Sequence, residues 1–169
     1  MIRAATDSVT ETHRLAAVVA AELSPGDVIV LAGDLGSGKT AFAQGLARGL
    51  GVIETVTSPA FVLVRNYEGR LPLAHLDVYR LDHLSELADL GLAELVDGDG
   101  VTVIEWGDVV AAALPYDFLE IRLAMTDEAD AESDGADEHR LITLRPVGPA
   151  WASRLAGIRE SLSEWVAGP

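Results

Sequence analysis

The hydrophobic pattern of the chain changes period several times, and each change marks an element. Over residues 8–23, Leu15, Val18, Val19 and Leu23 recur at three- and four-residue spacing, which predicts an amphipathic helix. Ser8 and Glu11 have the spacing of a capping box at its start, and Pro25-Gly26 ends it. Residues 27–33, DVIVLAG, form a short continuous apolar run, as expected of a strand buried on both faces. A helix follows from Thr40 and stops at Gly51, and 54–60 reads as a loop. Two runs, 61–67 and 71–79, flank Glu68-Gly69 and predict a hairpin. Residues 83–96 read as a helix and 101–106 as a second buried strand. Two late strands, 117–125 and 140–146, flank the segment 127–138. In the tail, Trp151, Leu155, Ile158, Leu162 and Trp165 mark one face of a helix over about 149–166, and this stripe reads as core packing rather than a cofactor contact. With no internal repeat and no linker, the 169 residues predict one α/β domain with a mixed, partly antiparallel sheet.

Composition narrows the function classes. No apolar run is long enough to span a membrane, and the polar N-terminus does not read as a secretory signal. There are no cysteines, so disulfides and cysteine metal sites are excluded. A soluble cytoplasmic protein is the expectation. The formal net charge is −15, from 27 acidic against 12 basic residues. Nucleic-acid affinity draws heavily on cations that neutralise phosphates, so a chain this acidic is ill-suited to gripping RNA alone. Seven of the carboxylates lie in 127–138, DEADAESDGADE, which reads as a solvated loop.

One basic residue stands apart. Lys39 is the only lysine; the other 11 basic residues are arginine. It lies in residues 33–40, GDLGSGKT, a complete G-x-x-x-x-G-K-[ST] phosphate loop between a predicted strand and a predicted helix. The glycines let backbone N–H groups surround phosphate oxygens, and the positive end of the following helix points at them. Lysine reaches the β- and γ-phosphates as a mobile point charge, a task that the rigid fork of arginine does not copy. The Thr40 hydroxyl suits Mg²⁺. The candidate nucleotide contacts are thus Gly33, Asp34, Leu35, Gly36, Ser37, Gly38, Lys39, Thr40 and Ala41. A P-loop NTPase-like three-layer domain is the predicted fold. An N-K-x-D guanine-reading element needs a second lysine, so ATP is favoured over GTP.

Hydrolysis needs carboxylates from elsewhere, and two places offer them. Glu105 ends the apolar strand VTVIE, where a Walker-B acid would sit; an ordinary strand-end carboxylate is the other reading. In LPLAHLDVYRL, alternation puts His75, Asp77 and Tyr79 on one strand face. Three polar groups there meet either a ligand or one another. His75 by itself reads as structural. Residues 57–61, TSPAF, suit a loop that senses the γ-phosphate, or a plain connection.

GDLGSGKT, TSPAF, HLDVYRL and VIEWG occur here in the order and spacing of the TsaE family, formerly YjeE, and the chain resembles that family from the first helix to the strand around Leu141. The resemblance implies the bacterial ATPase of tRNA threonylcarbamoyladenosine biosynthesis. It implies ATP and Mg²⁺ as ligands and the TsaD–TsaB heterodimer as partner, with tRNA met only through partners and no membrane. By the same resemblance Thr40 and Glu105 form the Mg²⁺ side, Asp77 is a catalytic or metal-shell acid, and Trp106 borders the site. Thr12 on the first helix approaches the adenine. Ser58 belongs to the family's S-P-T-F motif, with Ala60 here in place of threonine, and Arg140 to its G-R pair, with His139 here in place of glycine. Two other classes compete: a stand-alone kinase of a small metabolite, and a nucleotide-gated adaptor with little hydrolysis. No arginine-bearing lid or acceptor pocket is evident for the kinase.

Overall fold

The strand predicted before the glycine-rich turn is the middle of the sheet. In the computed structural model, which describes residues 1–59, 64–79, 98–108, 114, 117–126 and 139–166, that strand is buried at every position. The elements run β1 (Ile2–Thr6), α1 (Val9–Ala21), β2 (Val28–Ala32), α2 (Lys39–Gly49), β3 (Val64–Tyr67), β4 (Leu73–Asp77), β5 (Val101–Glu105), β6 (Phe118–Met125), β7 (Arg140–Val147) and α3 (Pro149–Ser161). The sheet has seven strands in the order β1-β7-β6-β2-β5-β4-β3. β2 is parallel to β5 and β6, and β4 is parallel to β5. β3, β7 and β1 add antiparallel margins. This is the mixed α/β sheet the sequence predicts.

Register aligns the parallel strands where they end. Leu31 lies opposite Glu105, and Glu105 opposite Asp77. The C-terminal ends of β2, β5 and β4 therefore open on one edge, where open α/β sheets bind ligands. Side-chain alternation divides the apolar residues between two faces. Ile29, Leu31, Val101, Val103, Leu119 and Ile121 join Leu15, Phe42, Leu46 and Trp151 of the three described helices in the larger core. Val28, Val30, Leu76, Ile104 and Phe118 form a second buried cluster on the other face. Each fully buried Leu, Ile or Phe contributes about 1.5–3 kcal/mol of transfer free energy.

The start of α1 follows its sequence signature. Ser8 Oγ accepts from the Glu11 amide at 3.1 Å, while the Glu11 carboxylate accepts from the Asp7 amide at 2.9 Å. The predicted C-terminal helix is shorter than its stripe. It ends at Ser161, and turns carry Leu162 and Trp165 into the same core, where the Trp165 carbonyl accepts from Ala5. β1 is an addition to the predicted elements. Its buried positions are Ile2, Ala4 and Thr6, an alternation with only one large apolar side chain. The predicted helix at 83–96 and the acidic segment at 127–138 lie outside the described residues.

α1 and α2 touch backbone to backbone, and two glycines permit it. A Cβ on Gly45 would stand 2.7 Å from the His13 carbonyl oxygen and 2.7 Å from Ala16 Cβ; one on Gly49 meets Ala17 and Ala20 in the same way. Gly45→Ala is therefore expected to push the helices apart and destabilise the fold by roughly 1–3 kcal/mol. Urea unfolding measures this. An unchanged midpoint would contradict the close approach.

Candidate functional site

The phosphate loop follows β2 directly, and its geometry depends on what it passes. Gly33 has φ +137° and sits against β6, where an added Cβ would lie 2.2 Å from the Leu123 carbonyl oxygen. Gly38, at φ +104°, is the N-cap of α2, and no side chain caps the helix. The first amides of α2 thus face the edge of the sheet with the helix dipole behind them. Arg140, the first residue of β7, donates to the Ser37 carbonyl at 2.9 Å and the Gly36 carbonyl at 3.4 Å, clamping the loop by its acceptors from outside.

Lys39 is nearly buried and lies folded on its own loop. Its Nζ donates to the carbonyls of Gly33 at 2.8 Å and Asp34 at 2.7 Å, and stands 3.6 Å from the centroid of the Trp106 ring. Burial lowers its pKa from the ordinary 10.5, against the opposing pull of Glu105, Asp77, Asp108 and Asp34. Trp106 reaches this place through an unusual backbone. It is the only non-glycine residue with positive φ among the described residues, at +61°, a conformation costly for a bulky side chain. Tyr79 stacks against it at 4.8 Å between centroids.

The two carboxylates occupy different settings. Glu105 is 2 % exposed and bonded through both oxygens. Thr40 Oγ1 donates to Oε2 at 3.0 Å, and His75 Nε2 lies 2.8 Å from Oε1. Asp77 accepts from the Ser58 hydroxyl at 3.1 Å and from the Tyr79 amide at 3.0 Å. Thr40, Ser58, Asp77, Tyr79 and Glu105 line a cleft of about 460 Å³ with Lys39, Leu35, Gly36, Gly38, Ala41 and Trp106, while His75 stands behind Glu105, outside the lining. Loop amides and Lys39 present donors suited to phosphate oxygens, while Thr40, Glu105 and Asp77 supply hard oxygen atoms suited to a divalent cation.

Of the residues singled out from sequence, the structure brings together the phosphate loop, Ser58, Asp77, Glu105 and Trp106, with Arg140 behind the loop. Thr12 stands apart. It is buried, its hydroxyl is 2.8 Å from that of Thr6 and 3.2 Å from the Ser8 carbonyl, and it does not line the cleft. Ala60 and Phe61 of TSPAF lie outside the described residues. Of the polar groups that alternation places on the face of Asp77, Tyr79 lines the cleft, and His75, which reads as structural by itself in sequence, stands behind it bonded to Glu105.

The model of the family described as "Threonylcarbamoyl adenosine biosynthesis protein TsaE" matches residues 6–133. The chain belongs to the TsaE family. It is 46 % identical over 131 residues to the Treponema pallidum protein named tRNA threonylcarbamoyladenosine biosynthesis protein TsaE, covering 78 % of this chain and 97 % of that one. The TsaE of the same name from Bacillus subtilis is 42 % identical over 139 residues, 82 % of this chain and 81 % of the relative. A crystal structure of Bacillus subtilis YdiB superposes with a TM-score of 0.77 at 34 % identity, covering 95 % of this chain and 97 % of that one. The segment matched by the TsaE model contains every cleft-lining residue and ends before Arg140.

Gly33→Ala tests the loop's seat on β6. A methyl group there meets backbone rather than a movable side chain, in a conformation that L-residues avoid. A loss of roughly 2–4 kcal/mol in unfolding free energy is expected. Wild-type stability in this variant would show that the loop is not held against Leu123.

Proposed function

We propose that this chain is an ATPase serving tRNA threonylcarbamoyladenosine modification, and that its turnover acts on a TsaD–TsaB complex. The observation that carries the reading is the meeting of Lys39, Thr40, Glu105 and Asp77 in one cleft at the N-terminus of α2. Lys39 exchanges the carbonyls of Gly33 and Asp34 for the β- and γ-phosphate oxygens, so its charge is held close to where it is used. The loop amides bind the remaining phosphate oxygens. A Mg²⁺ ion on the Thr40–Glu105 side would neutralise phosphate charge during transfer to water. Asp77, tied by Ser58 and the Tyr79 amide, orients the water whose oxygen bonds to the γ-phosphorus as the bond to the β-phosphate oxygen breaks. The chain's acidity supports a division of labour in which partners hold the tRNA.

Lys39→Ala should abolish measurable ATP binding while the protein remains folded. Glu105→Gln and Asp77→Asn should keep substantial nucleotide binding and lose two or more decades of turnover, on the order of 3 kcal/mol in the barrier. Steady-state ATPase assays with and without TsaD–TsaB decide the matter. Parent-rate hydrolysis by both carboxylate variants would sink the catalytic assignment, and no stimulation by the partners would sink the assignment of the complex.

Proton linkage gives an independent check. A polyphosphate favours the ammonium form of Lys39 and raises the pKa that burial lowers. ATP binding therefore takes up protons in the range between the free and bound values. Affinity accordingly falls as pH rises through the free-protein value. Calorimetry in buffers of different ionisation enthalpy should show this uptake in the alkaline range, with ATP affinity falling over the same range. Proton release would contradict Lys39 as the phosphate ligand.

A further inference from the structure

Glu105 poses a question that the phosphate loop does not answer. A carboxylate buried to this degree needs donors on both oxygens, and Thr40 supplies only one. The other contact is to His75, which is fully buried on β4. Register explains the meeting. His75 lies opposite Val103 and Asp77 opposite Glu105, so His75 and Glu105 are diagonal neighbours on the same face of adjacent parallel strands. The ring spans that diagonal and brings Nε2 within 2.8 Å of Oε1. Its other nitrogen, Nδ1, is buried and has no partner among the described residues.

We infer that His75 is a positioning residue for Glu105, donating its Nε2–H to Oε1 and so fixing the carboxylate toward Thr40. The hydrogen inventory of the ring leads there. A proton on Nδ1 would be a buried donor with no acceptor, whereas a proton on Nε2 points at an anion. With Oε1 held by His75, Oε2 is the oxygen kept beside the Thr40 hydroxyl. Without that donor the carboxylate is free to rotate, and the ammonium of Lys39 is among the charges that attract it. His75 thus sets the orientation of the Glu105 carboxylate from outside the residues that line the cleft. The inference rests on the nucleotide reading, which assigns a divalent ion to the Thr40–Glu105 side.

The test uses the full chain. A long-range ¹H–¹⁵N spectrum of the ligand-free protein, with His75 identified by its loss in His75→Gln, should show Nε2 protonated. An unprotonated Nε2 overturns the inference. Electron paramagnetic resonance then measures Mn²⁺ affinity in the presence of ATP. His75→Phe keeps the ring volume and removes the donor, and it should weaken Mn²⁺ about tenfold or more while ATP affinity without metal holds. His75→Gln places an amide donor at the same reach and should recover most of that loss. A purely structural histidine would give equal Mn²⁺ affinity in both variants and the parent, and this result overturns the inference while leaving the nucleotide reading intact. Failure of the parent itself to bind ATP and Mn²⁺ would instead overturn the reading, and the inference with it.

Discussion

Charge buried at the ends of parallel strands must be answered by donors brought from other strands, and this constraint organises the molecule. Glu105 cannot be placed at 2 % exposure unless β4 delivers His75 and α2 delivers Thr40. Lys39 cannot be buried without the carbonyls of its own loop. The alignment of Leu31, Glu105 and Asp77 across three strands brings the carboxylates to the phosphate loop. The register of the sheet is thus also the register of the site. A one-residue slip of β4 would turn His75 and Asp77 to the opposite face and leave Glu105 with one donor.

The helices on the larger core serve the same end. Gly45 and Gly49 let α1 lie close along α2, and Leu15, Phe42 and Leu46 fix both to the sheet. α2 is thereby a rigid base whose first turn is aimed at the strand ends. The loop before it is restrained on one side by the Leu123 backbone and on another by Arg140. The loop is thereby held in one arrangement from two sides.

Much of this was legible in the chain because the signals are local. GDLGSGKT specifies turn, lysine and helix start within eight residues, and the buried strands over 27–33 and 101–106 read directly from apolar runs. The alternation in LAHLD placed His75 beside Asp77 correctly. What sequence did not convey depends on distance. Thr40 and Glu105 are 65 positions apart, and His75 and Glu105 are 30. No local pattern states that His75 belongs to Glu105 rather than to the core, since only strand register makes them neighbours. β1 escaped for another reason: two of its three buried side chains are Ala4 and Thr6, too small and too polar to mark a strand until β7 is beside it. The left-handed turn at Trp106 is invisible because nothing about tryptophan invites it.

The place of β7 has a consequence for how the protein comes into being. β7 lies between the first strand and the rest of the sheet, and its first residue holds the phosphate loop across 103 positions of sequence. During synthesis β1 is made long before β7, the strand it pairs with. A nascent chain not yet extended to Arg140 lacks both that partner and the contact that holds the loop, although GDLGSGKT is already made. Maturation of the loop is tied to completion of the sheet, so an unfinished polypeptide carries the motif without the clamped form of its cradle.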